Sequence, residues 1–385
     1  MTGFPNRIVT VEIDLAALAD NVRLVRERIG PDVRFYAVGK GDAYGTGLER
    51  AAPVMLEAGA DGLAMSDPAD VAAMRARGLR QPMLLYPGTP PSMAGDVVAT
   101  GAIVTLHDDP SLDAFAAAGS SVEAFVKVDC GFGRLGFPEA DWSRTFERVR
   151  RAGSLRLRGI YTHLAFTEDP AAVLAQMERF RRAADLAAAN GFHDLELMVA
   201  SSRVVLGYED LHLNAVNPGR LLYGILERPW TDKIQPAPVI RRISTFVIQV
   251  KDLAAGSHPG YMPEPLSAAR RIAIVPAGFA NGFPRIANSA PVLVHGRLAR
   301  VLGMRSTEHM MIDVSDVPDV APGDEVVLLG PQGDQNITLD MLDEAGTVPL
   351  IELLPRLARS SRRLYLPDRA APGRHRPSRH APATA

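Results

Sequence analysis

The chain has a single cysteine, Cys130. One thiol cannot close an internal disulfide or by itself build a metal site, so a disulfide-stapled scaffold is excluded. A reducing compartment, by default the cytoplasm, is expected. Charge of one sign is lacking too: 42 Lys and Arg against 44 Asp and Glu give a net charge of -2. That balance lacks the basic excess of a nucleic-acid-binding or membrane-surface protein. No apolar run approaches the roughly 18 residues that span a bilayer. The segment from Met1 to Arg7 has neither the basic nor the apolar region of a signal peptide, so no secretory leader is expected there. What remains is a chain of 385 residues, 47% of them hydrophobic, long enough for two ordinary domains or for a barrel with an attached domain and a sizeable core.

Arg7 to Ile13 alternates polar and apolar residues as a strand does, and Asp14 follows as an N-cap for a helix that reaches Gly30. Thereafter short apolar runs begin near Arg34, Asp61, Pro82, Gly101, Val122, Leu157, Leu195 and His212. Most are separated by Ala/Leu/Arg-rich segments of helical period, such as 170–190. Alternating strands and helices in that number predict a TIM-type (β/α)8 barrel, with an open doubly wound sheet as the alternative. From about Pro236 the texture changes to strand patterns punctuated by Pro and Gly, at 239–250, 271–275, 291–302 and 310–314. With the turn-and-strand segment at 322–330, these predict a mostly β C-terminal domain. The end of the chain is rich in Arg, His and Pro with little to bury, and reads as a disordered basic tail.

In a barrel of this kind the active site lies at the C-terminal ends of the strands. The first such end carries Lys40, followed by a glycine-rich loop with Tyr44, and its spacing is not that of a Walker A loop. A lysine there can form a Schiff base if its surroundings depress its pKa; the structural alternative is a lysine snorkelling from the strand end. In the fifth strand, alternation places Phe125, Lys127 and Asp129 on one face. A lysine inside a barrel needs neutralising, which Asp129 would do by pairing with it. Arg134, beyond the strand, presents a fork suited to a substrate carboxylate. The next ends bring His163, then Ser201, Ser202 and Arg203, then Asn217, Gly219 and Arg220. Each is weak alone, but their coincidence on strand ends is what a site would produce.

These segments resemble the alanine racemase family, pyridoxal-phosphate (PLP) enzymes with an N-terminal barrel and a C-terminal β domain. The resemblance runs from Val11-Glu-Ile-Asp-Leu15 to the neighbourhood of Pro349, and Ala37-Val-Gly-Lys40-Gly-Asp-Ala-Tyr44-Gly is its most specific segment. It implies a strand within 1–14 that joins the C-terminal domain, a PLP-binding barrel over 15–235, a β domain over 236–367 and the tail over 368–385. It implies further that Lys40 holds the cofactor as a Schiff base and that Tyr44 contacts its phosphate. Lys127 matches a lysine often carried as a carbamate, which orients Arg134 onto the substrate carboxylate. His163 falls beside the cofactor ring, and Ser202, Gly219 and the backbone of Arg220 fall on the phosphate cup. The implied assembly is a head-to-tail homodimer acting on a small amino acid, with no metal, nucleic acid or membrane partner.

The departures bear on the reaction. Family racemases oppose the cofactor lysine with a tyrosine of the partner subunit, and that position is Phe279 here, in Gly278-Phe279-Ala280-Asn281-Gly282. Phenylalanine carries no proton to transfer. The arginine facing the pyridine nitrogen is replaced by Asn217, a phosphate-reaching tyrosine by Leu350, and the partner loop reads Arg305-Ser306-Thr307-Glu308-His309. Phe279 and Thr307 are therefore expected against substrate. The leading expectation is an amino-acid racemase or epimerase acting at Cα, with His163, Tyr261 or His309 as substitute proton carriers. The alternatives are one-base PLP chemistry, such as retro-aldol cleavage, decarboxylation, elimination or transamination, and a PLP-holding protein without turnover.

Overall fold

The computed structural model describes residues 8–119, 121–226, 234–283, 291–345 and 349–367; the expected basic tail over 368–385 lies outside them. The first strand, β1 (Thr10–Ile13), leads into a helix over Leu15–Ile29. Its N-cap is Asp14, whose carboxylate accepts from Ala17 N at 2.9 Å, and it ends at Gly30 with φ +80°. Eight strands then alternate with helices: β2 (Arg34–Val38), β3 (Gly62–Met65), β4 (Met83–Leu85), β5 (Val104–Leu106), β6 (Val122–Lys127), β7 (Leu155–Tyr161), β8 (Glu196–Ala200) and β9 (Ala215–Val216). Neighbours pair in parallel in the order β4-β3-β2-β9-β8-β7-β6-β5. The two ends of that order meet: Leu85 N donates to Ile103 O at 2.8 Å and Ile103 N to Met83 O at 2.9 Å. The sheet is a barrel, and the open doubly wound alternative is excluded.

Strands buried on both faces read as continuous apolar runs, which explains the rhythm of the sequence. Phe35, Ala37, Leu63, Met65, Met83 and Leu85 pack outward under the helices. The alternate residues Tyr36, Val38, Ala64, Leu84, Phe125, Tyr161, Met198 and Ala215 fill the interior. Tyr36 and Tyr161 each meet Phe125 edge-on with ring centres 6.1 Å apart, so aromatic rings plug the barrel and give the space above them a floor.

The remaining strands are β10 (Ile240–Phe246), β11 (Gln249–Leu253), β12 (Arg270–Val275), β13 (Val292–Val294), β14 (Arg297–Leu302), β15 (Met310–Asp313), β16 (Glu325–Gln332), β17 (Gln335–Ile337) and β18 (Arg362–Tyr365). With β1 they build one sheet in the order β11-β12-β15-β14-β13-β16-β10-β1-β18, and β17 pairs with β16. Two expected single strands are pairs. The segment 239–250 breaks after Phe246, where Val247 N turns away to Asp324 O, and 291–302 is a hairpin whose turn residues His295 and Gly296 have φ +52° and +72°. β1 runs parallel to β18 and antiparallel to β10, so the N-terminal strand sits in the second sheet. Asn21 secures the passage between the layers: its side chain donates to Leu222 O and Ala237 O and accepts from Ala237 N, at 2.8–2.9 Å. Among the described residues, no helix is long and apolar enough to cross a membrane.

Candidate active site

A cavity of about 1180 Å³ opens at the C-terminal end of the barrel. Lys40, Tyr44, Lys127, Arg134, His163, Ser202, Asn217, Gly219 and Arg220 all line it, so the strand-end residues are brought together.

Lys40 follows β2 by one glycine. The chain then makes a left-handed turn, with φ/ψ of +66/+37° at Gly41, +60/+48° at Asp42 and +53/+53° at Ala43, and φ +52° at Tyr44. Each non-glycine residue there costs roughly 1–2 kcal/mol against the right-handed form. Local bonds compensate in part: Ala43 N donates to Gly39 O at 2.8 Å, Gly45 N to Gly41 O at 3.0 Å, and Leu48 N to the Asp42 carboxylate at 2.8 Å. Lys40 is exposed to solvent in the open cavity, yet the walls crowd its ammonium. That crowding, with the charges of Arg134 and Arg220, lowers its pKa below the ordinary lysine value.

Lys127 and Tyr161 are register partners on β6 and β7. The lysine is 6% exposed, with its ammonium 4.5 Å from the centre of the Tyr161 ring. Burial first, and then Arg134, pull its pKa down to about 8, against an opposing pull from Asp129. Asp129 was expected to pair with Lys127, but its carboxylate instead accepts from the backbone amides of Gly131, Phe132 and Gly133 at 2.9–3.1 Å. The turn so fixed presents Phe132 and Arg134. The Arg134 guanidinium lies 4.4 Å over the Phe132 ring, and that ring meets His163 edge-on at 5.1 Å. His163 is held to a pKa of about 4, by burial first and then by Lys127, Arg134, Lys40 and Arg220, so its imidazole is neutral near pH 7.

Opposite these groups, the buried Ser202 hydroxyl accepts from Gly219 N at 2.9 Å and Leu221 N at 3.2 Å, which shapes the loop after β9. Gly219 faces the Tyr44 hydroxyl so closely that a Cβ at 219 would sit 2.6 Å from it. Tyr44 in turn leans on Tyr223, ring centres 4.7 Å apart, and burial pushes its pKa up to about 12. Asn217 donates through its amide to the Tyr86 hydroxyl at 2.9 Å. The cradle that only glycine leaves open, the cationic Arg220 beside it and a lysine of lowered pKa form a donor set that fits a phosphorylated aldehyde such as PLP.

Phe279 and Thr307 do not line this cavity. They lie together on the second domain, where Phe279 N donates to Ser306 O at 3.1 Å and Ala280 N to Thr307 O at 2.8 Å. Phe279 is 43% exposed, and Thr307, Glu308 and His309 beside it are exposed too. Arg305 differs: it is 5% exposed, its guanidinium lies 5.3 Å from the centre of the Phe283 ring, and burial lowers its pKa to about 10. Arg305 is therefore withdrawn from the exposed surface that Thr307, Glu308 and His309 form.

Sequence reasoning missed Phe132 and Tyr86. Tyr86 directly follows β4 and was open to the same strand-end rule that found Lys40. Phe132 carried no such signal, since its place depends on the Asp129 turn.

Residues 13–227 match the family model described as "Alanine racemase, N-terminal domain", and residues 240–365 match "Alanine racemase, C-terminal domain". The alanine racemase of Citrifermentans bemidjiense is 32% identical over 377 residues, 94% of this chain and 99% of that protein. That of Syntrophobacter fumaroxidans is 34% identical over 350 residues, covering 88% and 92% of the two chains. Among solved structures, the alanine racemase of Streptomyces coelicolor superposes with a TM-score of 0.85 at 31% identity, over 94% of this chain and 98% of that one.

Proposed function

The chain belongs to the alanine racemase family, and from that premise we propose that it is a PLP-dependent amino-acid racemase or epimerase that moves the Cα proton of a small amino acid with Lys40 as base. The observation that carries this reading is the convergence on one cavity of Lys40, with its lowered pKa, the carboxylate-binding fork of Arg134 and the cup of Tyr44, Ser202, Gly219 and Arg220. PLP, when bound, supplies the electron sink that acidifies Cα–H.

The residues divide the work. Lys40, released from its ordinary pKa, takes and returns a proton on its own face of Cα. Arg134 grips the substrate carboxylate, and Phe132 beneath its guanidinium limits where that fork points. Lys127, buried behind it with a pKa near 8, is the group suited to carbamylation, which needs the neutral amine. His163, neutral and packed against Phe132, offers a flat uncharged surface beside the ring site. Asn217 replaces a cation with a neutral amide at the cavity floor and is the residue through which the ring electronics would be retuned.

A head-to-tail homodimer is part of the proposal, since the Phe279–Thr307 surface reaches substrate only when a second copy brings it to this cavity. So is a cytoplasmic setting, consistent with the buried lone thiol Cys130. The test of the cofactor role is borohydride reduction of the PLP-loaded protein followed by peptide mass spectrometry. A pyridoxyl group on Lys40, absent from Lys40→Ala, is expected; an adduct of equal stoichiometry in the variant would reject it.

A second reading, one-face chemistry such as retro-aldol cleavage or transamination, is favoured by one observation: Phe279 has no hydroxyl where the family places its second base. Chiral analysis of amino acids recovered from heavy water separates the two. Cα deuterium with inversion supports the racemase, and deuterium with retained configuration supports the one-face reaction.

A further inference from the structure

We infer that Asp42, Arg363 and Tyr365 are positioning residues: the last strand of the C-terminal domain clasps the left-handed turn behind Lys40 and so fixes where the lysine amine enters the cavity. The inference rests on the proposed role of Lys40, and none of the three residues itself lines the cavity.

A left-handed run of L-residues persists only when its surroundings over-determine it. Bonds within the turn supply part of that constraint, and the rest arrives from far along the chain. Arg363 forms an ion pair with the Asp42 carboxylate, 321 residues away in sequence, while the other carboxylate oxygen accepts from Leu48 N at 2.8 Å. The pair is partly buried, with side-chain exposures of 23% and 35%, so solvent screens it less than a surface pair. Two residues on, along the same face of β18, the Tyr365 hydroxyl donates to Thr46 O at 3.0 Å. Gly47, with φ +96°, lies directly against that hydroxyl, and Gly45, with φ +87°, lies against the backbone of Pro355 in the helix Leu350–Ser360. Both glycines admit a contact that any side chain would block. β18 is anchored in turn by parallel pairing with β1, Val11 opposite Arg363 and Ile13 opposite Tyr365. A continuous path of packed, bonded atoms thus runs from the second sheet to Asp42, two residues after Lys40.

The experiment uses the full chain with Arg363→Gln, Arg363→Lys and Tyr365→Phe. Hydrogen exchange reads the amides of Gly45 and Gly47, which are bonded to Gly41 O and Asp42 O inside the turn, with the amides of β6 as internal control. In Arg363→Gln their exchange is expected to accelerate at least tenfold while β6 is unchanged. Acetic anhydride labelling of Lys40 against pH should shift its midpoint upward, and the yield of the borohydride-reduced PLP adduct should fall. Arg363→Lys, which keeps the charge opposite Asp42, should recover most of the protection. Unchanged exchange at Gly45 and Gly47 with an unchanged Lys40 labelling profile would overturn the inference. If Arg363→Gln does not fold, Tyr365→Phe decides by the same readouts, since it removes one hydroxyl only. A wild-type protein that forms no adduct would count against the cofactor role alone, because exchange and labelling still read the clasp.

Discussion

Placing a methyl group on Gly219 tests the shape of the proposed phosphate cup. The backbone at 219 has φ -122°, outside the left-handed region, and the space around its Cα is what an added methyl would meet first. Its Cβ would stand 2.6 Å from the Tyr44 hydroxyl and 3.3 Å from the carbon that bears it. An ordinary contact lies near 3.5–4.0 Å, so one side must yield by roughly 1 Å. Tyr44 cannot swing away at low cost, because its ring leans on Tyr223 and its backbone belongs to the left-handed turn. Overpacking of this kind costs about 1–3 kcal/mol. If that cost falls on the cofactor-bound state, affinity for PLP drops roughly 5- to 150-fold at about 1.4 kcal/mol per tenfold. Spectrophotometric titration of the apoprotein measures it, with Gly95→Ala, where nothing lies within 4 Å, as the control. In a Tyr44→Phe background the penalty for Gly219→Ala should shrink, because the clashing oxygen is gone. An unchanged PLP affinity in Gly219→Ala, with no coupling to Tyr44→Phe, would refute the claim that this contact shapes the cup.

Three further outcomes are expected. His163 has a folded pKa near 4 against an ordinary 6.5, so its burial penalty is full below pH 4, where it is protonated folded or unfolded, and absent above pH 6.5. Stability should therefore decline by up to about 3 kcal/mol as pH falls from 6.5 to 4, and urea denaturation of His163→Gln should show a shallower decline; parallel curves would contradict the assignment. Arg134→Lys should weaken binding of amino-acid substrate at least tenfold in a spectral titration, since a point charge cannot reproduce the fork, and unchanged binding would remove Arg134 from the carboxylate. Asn21→Ala leaves Leu222 O, Ala237 O and Ala237 N without their buried partner and should cost roughly 3 kcal/mol in denaturant unfolding; a loss below about 1 kcal/mol would show that water replaces the amide.

The barrel was legible because parallel strands buried on both faces leave apolar runs at regular spacing, and each of the eight runs leads into a strand. The C-terminal sheet was less so. The hairpin over 292–302 turns on His295 and Gly296, a pair without the Asn-Gly or Asp-Gly signature that marks such turns, so two strands read as one. At the site, strand ends pointed to Lys40, His163 and Asn217, and alternation along β6 to Lys127, because position along a barrel strand can be read locally. Asp129 was misread for a local reason as well: a short carboxylate near its own backbone amides satisfies them before it reaches a lysine. The ion pair between Asp42 and Arg363 had no sequence signal at all, since 321 residues separate its members and they meet through long-range packing that includes the pairing of β18 with β1.

The proposed function requires that Lys40 abstract and return the Cα proton of an amino acid in this cavity. The most direct measurement is proton NMR of the PLP-loaded protein with a panel of L-amino acids in heavy water, repeated with Lys40→Ala. Loss of the Cα–H signal for at least one amino acid, accompanied by its D-enantiomer and abolished in the variant, is predicted. Retention of every Cα–H signal by a wild-type protein that carries PLP on Lys40 would rule out proton abstraction by Lys40.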